Sequence, residues 1–438
     1  MKEPVPISLE EAKRLAIAAS GLSPAMPTGS DDSTLAVLSR LGSVQIDSIN
    51  VVARAHHHII WARNPKHDLG DLARLEAEPR RVFEYWSHAA AYLPMTDWRY
   101  CLPRMEKVRA KGHPWFGTDP LVVEEVRARL RAEGPLGSGH WVDEREEKAG
   151  WWDWKPAKIA LEYLFHSGEI MSVTRSGFKK IYDLTERALP AWVDTRMPNE
   201  EEMAAWYVDR AIASLGVFAR RDVAYGRKEG LSGIDAEISR RLETGELVSL
   251  RLEASSPPGP SPEPSPSPLL HYARPGDVDI ATAAPGTDSW RAFILSPFDP
   301  LVIDRRRLGR LFGLEYQIEC YVPEKKRSFG YFALPILALG PGGEAAFAGL
   351  LDAKLERKES LLRVKRLALW RERPRRGSGK EGAADRGAFA SAIVRALAAY
   401  ALWQGATSIV IERLDAEDPV LARLVASRAS RASLISRV

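Results

Sequence analysis

The feature that most constrains the fold is a helix followed by a short hairpin pattern in the second quarter of the chain. Apolar residues lie at helical spacing from Lys155 to Phe165. Two short strand-like runs follow, Glu169 to Val173 and Lys179 to Leu184, on either side of Thr174 to Gly177. A Ser-Gly pair between two such runs is typical of a tight turn. The segment therefore predicts a helix that leads into a two-stranded hairpin.

Helices followed by a two-stranded wing are the winged-helix layout, a variant of helix-turn-helix. The pattern recurs downstream, where Glu200 to Leu215 and Ile234 to Glu243 are helical and Gly245 to Leu252 enters a strand. Near the start, Ser8 and Glu11 form a capping-box pattern before a first helix. We therefore predict tandem winged-helix domains.

Beyond the helical part, apolar runs of strand length follow one another, which favours a β-rich C-terminal domain. These runs are Tyr316 to Val322, Ser328 to Ile336, Ala345 to Ala353, Ser360 to Ala368 and, after a helix at Ala388 to Trp403, Thr407 to Ile411. The predicted fold class is α+β, with tandem winged-helix domains followed by a C-terminal antiparallel β-barrel-like domain. The predicted domains are 1–118, 119–195 and 196–254, a Pro/Ser-rich linker at 255–289, and 290–438.

Composition excludes several classes of protein but does not indicate a function. A hydrophobic fraction of 45% with 27% charged residues is that of an ordinary globular protein. The two cysteines, Cys101 and Cys320, match no disulfide or metal spacing, which favours a reducing cytoplasm. No apolar run is long enough to span a bilayer. We find no P-loop, no GxGxxG after a strand and no GxSxG elbow, which weakens nucleotide, dinucleotide and esterase chemistry.

One short segment could carry chemistry on its own residues. From Val44 to Asp47 apolar and polar residues alternate, so on an extended backbone Gln45 and Asp47 share one face. A carboxamide beside a carboxylate can orient a water molecule and accept its proton. On spacing alone, a strand end with a solvated polar face is the commoner explanation, because such pairs are frequent.

The histidines do not predict a metal centre. His56, His57 and His58 are consecutive, so on a helix they point in three directions and cannot share one ion. No second cluster with ligand spacing completes a zinc site. His88 lies in a polar-aromatic cluster, where a lone histidine is usually structural. We expect no metal and no cofactor.

Four ordered blocks carry a family resemblance over roughly residues 8 to 412. They are LGSVQIDSINVVARAHHHIIWAR, FEYWSHAAAYLP, SGEIMSVTRSGFKKIYDLTERALP and LSPFDPLVIDRRRLGRLFGLEYQIECYVPEKKRSFGYFALPIL. They resemble the successive blocks of the YcaQ/AlkZ-type winged-helix DNA glycosylases. The resemblance implies a metal-independent DNA-repair enzyme that excises alkylated bases, including bases in interstrand crosslinks.

In that family the catalytic motif is Gln, an apolar residue, then Gln or Asp. It stands here as Gln45-Ile46-Asp47, which resembles the Asp-bearing branch associated with crosslink unhooking. Gln45 and Asp47 are thus the expected catalytic residues. Two segments depart from the family pattern, the Pro/Ser insert at 255–268 and the Arg/Gly-rich stretch at 371–386. Both lie outside the motif.

Double-stranded DNA is the expected partner, bound by a monomer in the cytoplasm on nucleoid DNA. Net charge is only +4, so contacts should come from local basic clusters. The expected DNA-contact residues are Asn50, Arg54, His56, His57, His88, Lys155, Lys158, Arg175, Arg305, Arg306 and Arg307. Each basic cluster could equally be a solvated surface, and one of Arg305 to Arg307 could pair with Asp299 or Asp304. The rival interpretation is a non-enzymatic winged-helix DNA-binding regulator.

Overall fold

The computed structural model describes residues 3–22, 31–77, 80–113, 117–141, 154–227, 230–253, 269–283, 289–370 and 380–432. Across them the chain forms three successive units that combine helices with a small sheet, and then a larger mixed sheet with flanking helices. The predicted α+β class is confirmed. Among the described residues no helix is long and apolar enough to cross a bilayer.

The first unit contains the motif segment. Its elements are β1 (Val5–Ser8), α1 (Leu9–Ala19), α2 (Asp31–Leu41), β2 (Val44–Gln45), α3 (Ala55–Trp61), α4 (Asp71–Ala77), β3 (Val82–Trp86), β4 (Ala90–Pro94) and α5 (Leu102–Lys111). The predicted capping box starts α1, since Ser8 Oγ accepts from the Glu11 amide at 3.2 Å and Glu11 Oε2 accepts from the Ser8 amide at 2.7 Å. Strand β4 pairs with both β2 and β3, so the short motif strand lies at one edge of a three-stranded sheet.

The second unit contains the predicted hairpin. Its elements are α6 (Pro120–Glu133), β5 (Leu136–Gly137), α7 (Pro156–His166), β6 (Ile170–Ser176), β7 (Lys179–Leu184) and α8 (Thr185–Ala188). Strands β6 and β7 are antiparallel, with Ser176 opposite Lys179, and the predicted hairpin is confirmed. Gly177 in the turn has a φ of 63°, a conformation that glycine adopts without a Cβ clash.

The third unit contains α9 (Glu200–Leu215), α10 (Arg220–Val223), α11 (Ile234–Thr244), β8 (Val248–Glu253), β9 (His271–Ala273) and α12 (Pro275–Ala283). Strand β1, at the other end of the helical region, pairs in parallel with β8. The Pro/Ser insert at 255–268 lies outside the described residues, but β9 and α12 fall within the predicted linker 255–289. We keep the winged-helix assignment of the three units as a proposal.

The C-terminal part is built around one sheet. Its elements are β10 (Arg291–Ile294), α13 (Pro300–Ile303), α14 (Arg305–Phe312), β11 (Leu334–Leu339), β12 (Ala345–Glu356), β13 (Leu361–Leu369), α15 (Lys380–Trp403), β14 (Ser408–Ile411), β15 (Leu414–Ala416) and α16 (Pro419–Ala432). The strands are ordered β10-β11-β12-β13-β14. Strand β15 also pairs with β13, further along β13 than β14 does.

The predicted antiparallel β-barrel is wrong in two respects. Strands β14 and β15 pair in parallel with β13, so the sheet is mixed. Within the described residues no pairing joins β10 to β14, so the sheet stays open. The long helix α15 explains the first difference, because a helical crossover returns the chain to run parallel to the strand that it left.

Another predicted strand is absent. Tyr316 to Val322 is a loop, although its residue pattern favours a strand. The Glu319 carboxylate accepts hydrogen bonds from the amides of Ser328, Phe329 and Gly330 at 2.6 to 3.0 Å. This side chain satisfies backbone donors that a neighbouring strand would otherwise satisfy.

The first unit and the C-terminal sheet share one hydrophobic core. A buried ion pair crosses the same interface: Arg63, just after α3, donates to both carboxylate oxygens of Asp299 at 2.7 and 2.9 Å, and both side chains are fully buried. The motif segment therefore sits in the first unit but close to the C-terminal part. A second core is shared by the first unit, through β3, β4 and α5, and the second unit. A third core lies mainly within the third unit.

Candidate active site

The Gln45–Asp47 segment has the alternation that the sequence predicts. In β2, Val44 pairs with Tyr92 and Gln45 with Ala91, and the Ile46 amide donates to the Ala90 carbonyl at 2.8 Å. Val44 is fully buried and Ile46 is 9% exposed. Gln45 and Asp47 are half-buried. The apolar residues anchor the edge of the sheet, and the two polar side chains stay partly accessible.

The Asp47 carboxylate is largely uncommitted. Its Oδ1 accepts from the Ile49 amide at 2.7 Å, and no basic side chain of the described residues forms an ion pair with it. Partial burial raises the pKa of Asp47 above its ordinary value, and the Ile49 hydrogen bond only partly opposes this. A carboxylate whose pKa is raised is a stronger base than an ordinary one.

Two residues of the C-terminal loop lie close to Asp47. Burial is the main cause of the raised pKa of Cys320 and of Tyr321, and the negative charge of Asp47 adds to both. Tyr321 is 77% exposed, which is unusual for so large an aromatic side chain. The loop thus brings an exposed aromatic ring within electrostatic range of the carboxylate. Residue spacing does not indicate this ring as part of the site, because the loop is predicted as a strand.

Gln45 is held by His88. The His88 Nε2 donates to Gln45 Oε1 at 2.9 Å. Burial lowers the pKa of His88 to about 4, so the ring is neutral at physiological pH. With its oxygen engaged, the Gln45 amide group keeps its N–H donors available. Because Gly226 has a φ of 65° and a Cβ there would lie 2.4 Å from His88 Cβ, only glycine allows this approach.

A cavity of about 490 Å³ lies beyond the motif segment. Its wall contains four of the expected DNA-contact residues from the first unit, Asn50, Arg54, His56 and His57. The β6–β7 hairpin contributes Arg175 and Phe178, and the C-terminal part contributes Arg357 and Trp403. The structure thus brings these predicted residues together. Neither Gln45 nor Asp47 lines this cavity, and Gln45 lines a separate one of about 110 Å³ with His88 and Tyr225.

Arg175 of the cavity wall and the predicted DNA-contact residues outside the cavity are bonded within the chain in different ways. Arg175 forms a two-pronged ion pair with Glu84, with Nη2 2.6 Å from Oε2. Lys155 donates to the Trp141 carbonyl at 3.1 Å, and the Lys158 ammonium lies 3.7 Å from the centre of the Trp154 ring.

Arg305, Arg306 and Arg307 have three different environments. Arg305 donates to the Pro297 carbonyl at 3.0 Å and lies over the Tyr316 ring. Arg307 is 2% exposed and donates to the carbonyls of Leu215 and Val217. Only Arg306 is exposed. Asp304 accepts from the amides of Arg306 and Arg307, so this carboxylate caps α14 and pairs with none of the three guanidinium groups.

No three His, Cys, Asp or Glu side chains of the described residues are grouped as a metal ion would require. The prediction that the three consecutive histidines point in three directions holds only for His58, because the rings of His56 and His57 lie 4.5 Å apart and face the same cavity. His58 lies in the core with Nε2 donating to the Ile294 carbonyl at 2.9 Å, whereas His56 and His57 line the larger cavity.

Comparison with known proteins agrees with this architecture. The family model described as DNA glycosylase AlkZ-like matches residues 38–403, which is most of the chain and includes Gln45, Asp47 and His88. The chain belongs to the AlkZ-like DNA glycosylase family. Membership places it among enzymes that hydrolyse N-glycosidic bonds in DNA during repair.

A solved structure shows the same fold. The chain is similar to the DNA glycosylase AlkZ of Streptomyces sahachiroi, with a TM-score of 0.56 at 15% sequence identity. The match covers 94% of this chain and 100% of that one. At this identity the likeness concerns the fold alone, and the roles of individual residues in this AlkZ-like glycosylase are argued from its own geometry.

Proposed function

We propose that this AlkZ-like glycosylase hydrolyses the N-glycosidic bond of N7-alkylated purines, including purines joined in an interstrand crosslink. The proposal rests on one observation: Asp47 is a half-buried carboxylate with a raised pKa and no ion-pair partner among the described residues, two positions from Gln45. We also propose that it acts as a monomer and without a metal ion.

The chemistry suits a single carboxylate. Alkylation at N7 makes the purine cationic, so it leaves without needing a proton from the enzyme. The remaining barrier lies in the positive charge on the sugar and in the delivery of water. Asp47 would stabilise that charge and accept the proton of the attacking water. A positioned general base contributes roughly 10²- to 10⁴-fold, and electrostatic stabilisation adds to it.

Gln45 would position the water. Its Oε1 accepts from His88, so its N–H group is left to hold the water oxygen. The water then has a lone pair free for the anomeric carbon and a hydrogen directed at Asp47. His88 is therefore proposed as a positioning residue, a different role from the DNA contact that its sequence context suggested.

An open site suits a crosslinked substrate. Many glycosylases flip the target nucleotide into a closed pocket, but a base tethered to the opposite strand cannot swing out alone. Gln45 and Asp47 are half-buried at the edge of a sheet and do not line the larger cavity. The exposed Tyr321, within electrostatic range of Asp47, could stack on a base that the lesion leaves unpaired.

DNA affinity would come mainly from phosphate contacts. We propose Asn50, Arg54 and Arg306 as contacts, with Lys155 and Lys158 on the second unit. His56, His57 and Arg175 would act through the cavity that they line. Arg305 and Arg307 are engaged by carbonyl groups of the chain, and we assign them no phosphate contact.

The test is a gel assay with purified protein in the presence of EDTA. Duplexes carrying one N7-alkylguanine or one nitrogen-mustard crosslink should yield abasic sites, and an undamaged duplex should not. Asp47→Asn should bind the damaged duplex as tightly as wild type but yield almost no product. Full activity of Asp47→Asn would refute the catalytic assignment. Sequence-dependent binding without base release on either substrate would favour the regulator instead.

A further inference from the structure

The larger cavity has the features of a ligand site that the glycosylase mechanism does not use. Its volume of about 490 Å³ is within the range of small-molecule sites, about 300–1,000 Å³. Its walls come from the first unit, from the tip of the β6–β7 hairpin and from the C-terminal part. A site shared by three parts of the chain is formed only when they are assembled.

Two deeply buried polar side chains in its wall have unused atoms. Glu76 is 2% exposed and His56 is 5% exposed. Glu76 Oε1 and His56 Nδ1 have no hydrogen-bond partner within the described part of the chain. A buried polar atom without a partner costs about 1–3 kcal/mol. Both side chains line the cavity, so a ligand in it could satisfy them.

A chain of hydrogen bonds fixes the state of a third group, His57. Asp71 Oδ2 accepts from His67 Nδ1 at 2.9 Å, so His67 Nε2 carries no proton. His57 Nδ1 lies 3.0 Å from that Nε2 and must donate to it. Burial lowers the pKa of His57 to about 3, so the ring is neutral and its Nε2 is an acceptor. A half-buried histidine of the cavity wall is thereby set as a hydrogen-bond acceptor.

The cavity also has an aromatic surface and positive charge. The guanidinium carbons of Arg54 and Arg175 lie 4.5 and 4.7 Å from the centre of the Phe178 ring. Arg175 is neutralised by Glu84, but Arg54 forms no ion pair with a described residue. Arg357, exposed on the opposite wall, donates to Asn50 Oδ1 at 3.0 Å. Burial and the nearby Glu84 raise the pKa of Glu76 to about 8, so its carboxyl is neutral and can donate as well as accept.

We propose that this cavity binds one unstacked nucleotide of the substrate DNA, adjacent to the nucleotide that is cleaved. The base would lie against Phe178, with its polar edge on His57 Nε2, Glu76 and His56. The phosphate would lie between Arg54 and Arg357. The inference rests on the proposed function, because it takes DNA as the substrate. Asn50, at the cavity wall, is three residues from Asp47, at most about 10 Å along an extended chain.

The first experiment is independent of catalysis. Titration calorimetry on the full chain would use 2′-deoxyguanosine 5′-monophosphate, with deoxyguanosine and inorganic phosphate as separate probes. We expect one equivalent of the nucleotide to bind, and Arg357→Ala and His57→Ala each to weaken it about tenfold. The matched control is Arg251→Ala, an exposed arginine on β8 that does not line the cavity. Asp47→Asn should bind the nucleotide like wild type, even if the catalytic assignment were wrong.

Two results would overturn the proposal. One is inorganic phosphate displacing the nucleotide at equal concentration, since the cavity would then be only an anion site. The other is equal loss of binding in Arg251→Ala, since binding would then reflect general surface charge.

The second experiment places the nucleotide on the duplex. A 2-aminopurine beside the lesion should gain fluorescence when bound by Asp47→Asn, because unstacking relieves its quenching. The additional substitution His57→Ala should abolish the gain while the duplex remains bound. An unchanged gain with His57→Ala would mean that the base unstacks elsewhere.

Discussion

The Gln45–Asp47 segment and the start of α14 differ in how far their polar groups are already bonded within the chain. Asp47 accepts one backbone hydrogen bond and is half-buried. Arg307 is 2% exposed and donates to two carbonyls of the third unit. A buried side chain that bonds to other parts of the chain stabilises the fold, whereas a partly accessible one with spare acceptor capacity can act on a ligand. The difference predicts opposite effects of mutation in the two regions.

The largest effect is expected at Asp47. Asp47→Asn removes the base and the negative charge, so the single-turnover rate should fall about 10²- to 10⁴-fold. Below neutral pH the wild-type rate should fall as the carboxylate is protonated, with an apparent pKa above the ordinary 3.8 because burial raises it. The rate of Asp47→Asn should not depend on pH over this range. Thermal melting should be nearly unchanged, and a large loss of stability would contradict the contrast with α14.

Arg307→Ala should show the reverse pattern. It removes one donor from the Leu215 carbonyl and the guanidinium donor from the Val217 carbonyl, and it should lower the free energy of unfolding by about 3 kcal/mol. Urea unfolding measures this. The neighbouring Arg306→Ala is the control, because Arg306 is exposed and its loss should change stability by less than about 0.5 kcal/mol. Equal stability of the two variants would show that Arg307 stabilises the fold no more than the exposed Arg306 does.

Glu76 tests a third situation, a buried polar group with an unused atom. Burial and Glu84 raise its pKa from 4.5 to about 8, while the Ser172 hydroxyl, and then Arg175 and Lys180, oppose the shift. Between those values the native state holds a proton that the unfolded state has lost, so stability falls as pH rises. From pH 6.5 to 8 the loss should reach about 2 kcal/mol.

Glu76→Gln should abolish this pH dependence, as measured by urea unfolding at both pH values. The buried histidines do not interfere in this range. Their pKa values are lowered, so they affect stability mainly below pH 6.5. A Glu76→Gln variant that still lost stability toward pH 8 would show that another group is responsible.

Substitutions of His88 test whether this residue positions Gln45 or contacts DNA. His88→Ala removes the donor to Gln45 Oε1, and we expect a loss of about tenfold in the single-turnover rate. His88→Gln can still donate and should recover most of the rate. DNA affinity should be unchanged in both. Reduced affinity with an unchanged rate would instead support the DNA contact that the sequence suggested.

Local patterns in the sequence predict much of this fold. The alternation at Val44 to Asp47, the hairpin at β6 and β7, and helix α9 can all be read from residue spacing. Spacing failed at Tyr316 to Val322, where the Glu319 carboxylate bonds three distant amides and removes the need for a strand partner. The open mixed sheet was missed because the direction of β14 depends on the path of α15.

The candidate sites also differ in how much of each can be predicted from neighbouring residues in the sequence. Gln45 and Asp47 are neighbours in sequence, and a motif identifies them. Glu76, Phe178 and Arg357 meet only in the folded chain, from three different parts of it. Charge alone also does not identify which arginines can contact DNA, because Arg306 and Arg307 are adjacent in sequence and only Arg306 is exposed.

The smallest effect is expected at Arg306, and it tests whether exposure is enough for a DNA contact. If Arg306 neutralises one phosphate, Arg306→Ala should weaken binding to damaged and undamaged duplexes alike by a few-fold. The slope of log affinity against log salt should fall by about 0.9. Fluorescence anisotropy over a salt series measures both, with Arg251→Ala as the exposed control. Equal slopes in wild type and Arg306→Ala would mean that α14 faces away from the duplex and that its arginines serve the fold alone.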